Sequence, residues 1–189
     1  MKRLLSTSVF ALALLFVTGL VAHAGNIVNN GDFVTDDFTG WTQSGDPGLT
    51  FVAPSTNYGL YAPSGNVAVL GQTDFDGHLS QLLTTVATQT YQVSYYLASD
   101  GLTPNDFSAS WDGTALSSLT DIPNTNGWIE YTFTVTGTGS DTIMFSFMND
   151  PGYLGLANIS VSSIPEPNTM LLLCSGLACL FGLRKKCLN

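Results

Sequence analysis

Between residues 25 and 163, few side chains can do acid–base or nucleophilic work: one histidine, His78, one glutamate, Glu130, and a scatter of aspartates. A Ser-His-Asp triad would have to use His78, because the stretch offers no other imidazole. His78 stands in Asp76-Gly77-His78, which reads as a tight turn, and no Gly-x-Ser-x-Gly elbow accompanies it. Glycoside hydrolysis needs two carboxyl groups facing across a cleft. Glu130 alternates with Tyr131 and Phe133, so it faces solvent on a strand. The aspartates stand mostly beside Gly, Asn or Pro, the company of turns. One His without any Cys makes no usual zinc site, and no lysine-bearing phosphate loop occurs. The expectation is a domain that is not an enzyme. The alternative is a secreted polysaccharide-acting hydrolase, which a close carboxylate pair in a cleft would favour.

Binding chemistry has more candidates. Flat aromatic faces with Asp, Asn and Gln around them suit sugars, because one end of a Tyr or Trp is apolar and the other polar. Tyr58, Tyr61, Tyr96, Trp111 and Tyr153 lie outside the clearest core alternation and are the carbohydrate-binding candidates. Trp41 and Trp128 read as core residues instead.

Charge narrows the ligand. All five basic residues are at the ends, Lys2, Arg3, Arg184, Lys185 and Lys186, and 13 of the 14 acidic residues fall within residues 25–163. Such a middle cannot neutralise phosphates, which excludes nucleic acid, and it does not adhere to anionic lipid. It suits a soluble domain that meets neutral ligands or cations.

The elements that must position these residues are strands. Tyr91, Val93, Tyr95 and Leu97 alternate with polar neighbours, and Ile129 to Val135 repeats the pattern. Ile143, Phe145 and Phe147 do so again, as do Ile159 and Val161. Asn30-Gly31, Asp76-Gly77, Asp112-Gly113 and Asn126-Gly127 mark tight turns. No long 3.6-residue period occurs between 25 and 163. The expected fold is all-β: an antiparallel β-sandwich of about eight or nine strands in two packed sheets.

Asn26-Ile27-Val28-Asn29-Asn30-Gly31-Asp32-Phe33, followed by Phe38-Thr39-Gly40-Trp41, resembles the opening of a galactose-binding-like jelly roll. Ser110-Trp111-Asp112-Gly113, Trp128 to Val135 and Leu156 to Val161 resemble its later pieces. Carbohydrate-binding modules share this fold. Many of them hold a structural calcium between a Gly-Asp-Phe-Glu segment and paired aspartates in the last strand. Here Val34 follows Phe33, and the late pair is Ala157-Asn158. What the resemblance leaves for calcium is the oxygen set Asp32, Asp36, Asp37 and Asn158. Alternatively, these residues cap turns. No other cofactor is implied.

The two ends read as addresses. Met1-Lys2-Arg3, an apolar run and Ala22-His23-Ala24 form a signal peptide over 1–24, with the β-sandwich domain over 25–163. All three cysteines, Cys174, Cys179 and Cys187, fall beyond that domain, so no disulfide framework belongs to it. In the tail, 164–189, an apolar helix of about 168–183 precedes basic residues 184–186. At roughly 24 Å it is short for a bilayer core of about 30 Å. Arg184, Lys185 and Lys186 would stay cytoplasmic, leaving the domain on the periplasmic side.

Pro165-Glu166-Pro167, the apolar run and the basic cluster, in that order, resemble a PEP-CTERM sorting signal. The resemblance implies an exosortase-like membrane enzyme as partner and transient anchorage in the inner membrane. The destination it implies is the cell surface or an exopolysaccharide and biofilm matrix. A permanent membrane anchor is the alternative.

Overall fold

The computed structural model describes residues 25–54 and 64–164, and these belong to one compact unit, Ala24–Ile164. Both terminal addresses, the helix expected at 168–183, Tyr58 and Tyr61 fall outside the described residues. Regular structure among the described residues is strand throughout, and no helix there is long and apolar enough to cross a membrane.

Eight strands form in order: β1 Thr42–Ser44, β2 Thr50–Pro54, β3 Asn66–Thr84, β4 Thr90–Ser99, β5 Asn105–Trp111, β6 Thr114–Thr120, β7 Ile129–Thr136 and β8 Ser140–Ser163. All pairings are antiparallel. Two strands are unusually long, β3 with 19 residues and β8 with 24. Their mutual register breaks between Leu70 and Gly77 of β3, opposite the stretch from Phe147 to Leu154 of β8. Past that break each strand takes new neighbours, which creates two layers. In layer 1 the second half of β3 and the first half of β8 lie among β1, β5 and β6. In layer 2 the other halves lie among β2, β4 and β7. The result is a jelly-roll sandwich, the all-β class expected from alternation.

The core lies between the layers. Tyr91, Val93, Tyr95 and Leu97 are buried as their period demands, and so are Ile143, Phe145, Phe147, Ile159 and Val161. The Tyr95 ring on β4 touches Phe107 on β5 and Phe145 on β8, 5.7 and 5.2 Å between centroids, which ties the layers together. Phe33 and Trp41 from the N-terminal loop close one side, with Trp41 6.1 Å from Phe145. Burying each such ring fully stabilises by about 1.5–3 kcal/mol.

Three expectations need correction. Asp76-Gly77 is not a hairpin turn; it lies inside β3, at the irregularity where the strand passes between layers. Trp111 is only 6% exposed, because it continues the inward row of Phe107 and Ala109 along β5. Ile129 opens β7 at the rim of the sheet and stays 43% exposed. Asp112-Gly113 is the β5–β6 turn, with φ of 47° and 75°, the left-handed pair that such turns require.

Candidate functional site

On layer 1, alternation that buries Phe107, Ala109 and Trp111 turns Asp106, Ser108 and Ser110 outward from β5. The same logic turns Met144, Ser146 and Met148 outward from β8. Register aligns these side chains across five strands. Ser44, His78, Ser146, Ser108 and Ser118 form one row, from β1 to β6. Asp106 and Thr120 pair in register one row away. A hollow of about 220 Å³ opens here, lined by Asp76, Asp106, Ser108, Ser118, Thr120 and Ser146, with Phe107, Leu119 and Phe147 behind them. His78 Nδ1 lies 2.9 Å from Ser146 Oγ. Among the described residues the side chains of Asp76, Asp106, Ser108, Ser118 and Thr120 make no hydrogen bond to protein, so their donors and acceptors face the hollow unengaged.

A second hollow, about 460 Å³, lies beside the N-terminal loop and is lined by Asn26, Asn30, Asp32, Ser64, Asn158 and Ser160 among others. Its polar groups are largely engaged. Asn26 Oδ1 accepts from Val28 and Val161 N–H at 3.0 and 2.9 Å. Asn30 Nδ2 donates to Asp37 O and Thr39 O at 3.0 and 3.1 Å. Asn158 Oδ1 accepts from Ser64 N–H at 3.1 Å, and Asn158 Nδ2 donates to Ser64 Oγ. This hollow holds loops in place.

The expected calcium ligands divide. Asp32 and Asn158 share the second hollow. Asp36 Oδ1 accepts from Asn66 Nδ2 at 2.7 Å. Asp37 accepts from the Thr35 hydroxyl at 2.7 Å and Thr39 N–H at 2.9 Å, and these hydrogen bonds hold its carboxyl below the ordinary value. Among the described residues no three His, Cys, Asp or Glu side chains gather closely enough to hold a metal.

Among the described residues, Tyr96, Trp111 and Tyr153 do not line the layer 1 hollow. Tyr96 lies on the outer side of layer 2, paired in register with Glu130; slight desolvation and the Glu130 carboxylate raise its phenol above the ordinary value. Tyr153 is 38% exposed. Its ring stands edge-on to Phe51, 6.3 Å between centroids. Trp128 packs half-buried on Ala53, Val67 and Val69.

Among the described residues, two carboxylates line the layer 1 hollow, Asp76 and Asp106, and two others are in contact, Asp112 and Asp141. Asp112, in the β5–β6 turn, meets Asp141, which is fully buried and also accepts from Thr85 Oγ1 and Thr138 N–H. The two groups touch each other, whereas glycosidase carboxyls stand about 5 Å or more apart with the sugar between them. His78 has Ser146 as partner, and no carboxylate among the described residues bonds to its ring.

Comparison with known proteins agrees with this architecture. Residues 163–186 match the PEP-CTERM protein-sorting motif. No curated protein matches the chain. Among solved structures, TmCBM61 in complex with β-1,4-galactotriose is similar with TM-score 0.59 and 19% identity, covering 75% of this chain and 100% of that one. The CBM22-1 xylan-binding domain from Paenibacillus barcinonensis Xyn10C gives TM-score 0.52 and 17% identity, over 78% of this chain and 100% of that one. The enzymatically active domain of bacteriophage CBA120 tailspike protein 4 gives 0.55 and 17%, with 74% of this chain covering 21% of that one. The described domain therefore shares the jelly-roll fold of these structures. The chain as a whole joins that domain to a PEP-CTERM sorting motif.

Proposed function

We propose that this protein is exported, processed through its PEP-CTERM tail by an exosortase-like membrane enzyme, and delivered to the cell surface or exopolysaccharide matrix. There it binds polysaccharide without cleaving it. The observation that carries the binding reading is the layer 1 hollow, where Asp106, Ser108, Ser118 and Thr120 present unengaged polar groups on a carbohydrate-binding-module fold. Sugars take such groups as hydrogen-bond partners, each worth about 0.5–1.5 kcal/mol net. The glycan is neutral or amine-bearing, because residues 25–163 contain no Lys or Arg to pair with a uronate or sulfate.

Retention of the full-length chain, held in mild detergent, on columns of neutral, amine-bearing and uronate polysaccharide tests the binding. Delay on the first two and none on the third is expected. Passage through all three without delay contradicts binding. Mass spectrometry of the native C-terminus tests the sorting: loss of residues beyond the Pro165-Glu166-Pro167 segment is expected, and an intact Asn189 contradicts it.

A further inference from the structure

The N-terminal loop reaches β3 and β8 through carboxamides. Asn66 Nδ2 donates to Phe33 O at 3.0 Å and to Asp36 Oδ1 at 2.7 Å, and Asn66 N–H donates to Asp32 O at 2.9 Å. A carbonyl oxygen and a carboxylate oxygen converging on one point make the environment a cation would seek; here the neutral amide nitrogen occupies it. Asn26 crosses from the loop to β8, donating from Nδ2 to Ile159 O at 3.1 Å and accepting from Val161 N–H. Asn158, at the position where the resemblance expected a carboxylate, is engaged by Ser64. Backbone bonds continue the same seam, with Ile27 N–H on Val161 O at 2.9 Å and Ile159 N–H on Gly31 O at 2.8 Å.

We infer that Asn26, Asn66 and Asn158 stand in for the structural calcium of related jelly rolls, so that this domain closes its N-terminal loop without a metal. The loop places Phe33 and Trp41 in the core, so the carboxamides act on the whole sandwich. Of these three, Asn66 is the keystone, because only its side chain donates to two acceptors within the loop. Replacing its NH₂ by oxygen sets a third acceptor against Phe33 O and Asp36 Oδ1, an arrangement that a bound cation or a shared proton would relieve.

Thermal melts of the full-length chain, with EDTA and with millimolar calcium, test this directly. The parent is expected to melt at one temperature in both. Asn66→Asp is expected to melt several degrees lower in EDTA and to recover part of that loss with calcium, a response the parent lacks. A parent stabilised by calcium overturns the inference, and that measurement requires no variant. An N66D protein that melts with the parent in EDTA, or that calcium does not stabilise, also overturns it.

Discussion

The Tyr95 ring meets the Phe145 ring edge-on, 5.2 Å between centroids and 78° between planes, and this contact joins the two layers. Tyr95 is fully buried, yet its hydroxyl lies 2.7 Å from Ser117 Oγ. Burial, against the Ser117 hydrogen bond and with a small push from Tyr131, raises the phenol from 10.0 to about 12. A neutral form favoured on folding means stability is complete below the unfolded value. It is lost as pH rises from 10.0 to about 12. Tyr95→Phe removes the hydrogen bond and costs about 1 kcal/mol, or about 2–4 °C of Tm, at neutral pH. Tyr95→Ala costs about 3–5 kcal/mol. Melts across the alkaline range check both the offset and the flatter alkaline loss of Y95F.

Gly77 marks where β3 passes between layers. A Cβ there would lie 2.6 Å from Phe147 Cε2 and 3.0 Å from Gln72 Oε1. Phe147 is 1% exposed and Gln72 accepts from Asp46 N–H at 2.9 Å, so neither neighbour has room to yield. Gly77→Ala is expected to cost about 1–3 kcal/mol by overpacking, read as a lower Tm with unchanged strand content by circular dichroism.

Alternation made the core legible in the sequence, because Tyr91 to Leu97 and Ile143 to Phe147 each bury every second side chain. The passage of β3 and β8 between layers was not legible. A strand that exchanges neighbours midway keeps its local pattern, and the Asp76-Gly77 pair at the exchange carries the composition of a hairpin. Trp111 was legible in principle, because Phe107, Ala109 and Trp111 share one period along β5. The hollow was hidden for another reason. Asp106, Ser108, Ser118 and Ser146 come from three strands and, in sequence, resemble any solvated face; only the register brings them together.

Asp112 and Asp141 make the fold pH-sensitive near the β5–β6 turn. Burial opposes ionisation of Asp141, but hydrogen bonds from Thr85, Thr138 and Asp112 outweigh it and bring its pKa to about 2. Its contribution is present above the unfolded carboxylate value and is lost as pH falls through about 2. Partial desolvation and then Asp141 raise Asp112, against a Thr142 N–H that favours its charge. A raised carboxyl contributes most while protonated, and that part is lost as pH rises through its folded value. Asp112→Asn supplies a donor to Asp141 at every pH and keeps an acceptor for Thr142 N–H, now at 2.7 Å. Its backbone φ of 47° also suits Asn. Because Asp112 is exposed, solvent screening limits the gain. Tm is expected to rise by about 1–3 °C at neutral pH, with the gap narrowing toward about pH 4.

The layer 1 hollow separates binding from stability. Ser108 and Ser118 point away from the core and hold no protein partner, so changing them removes ligand contacts without opening the fold. Ser108→Gln places a longer side chain across the hollow. Retention on neutral polysaccharide is expected to fall about tenfold, the loss of about 1.4 kcal/mol, with Tm unchanged. Asp106→Asn removes a charge but keeps an acceptor. It is expected to weaken retention on amine-bearing polysaccharide while leaving neutral chains nearly as before, because only the amine interacts with the charge. Salt should reproduce that selectivity in the parent, lowering amine-bearing retention first. Equal retention of parent and S108Q on every column, measured alongside matched melts, would place the glycan on another face of the sandwich.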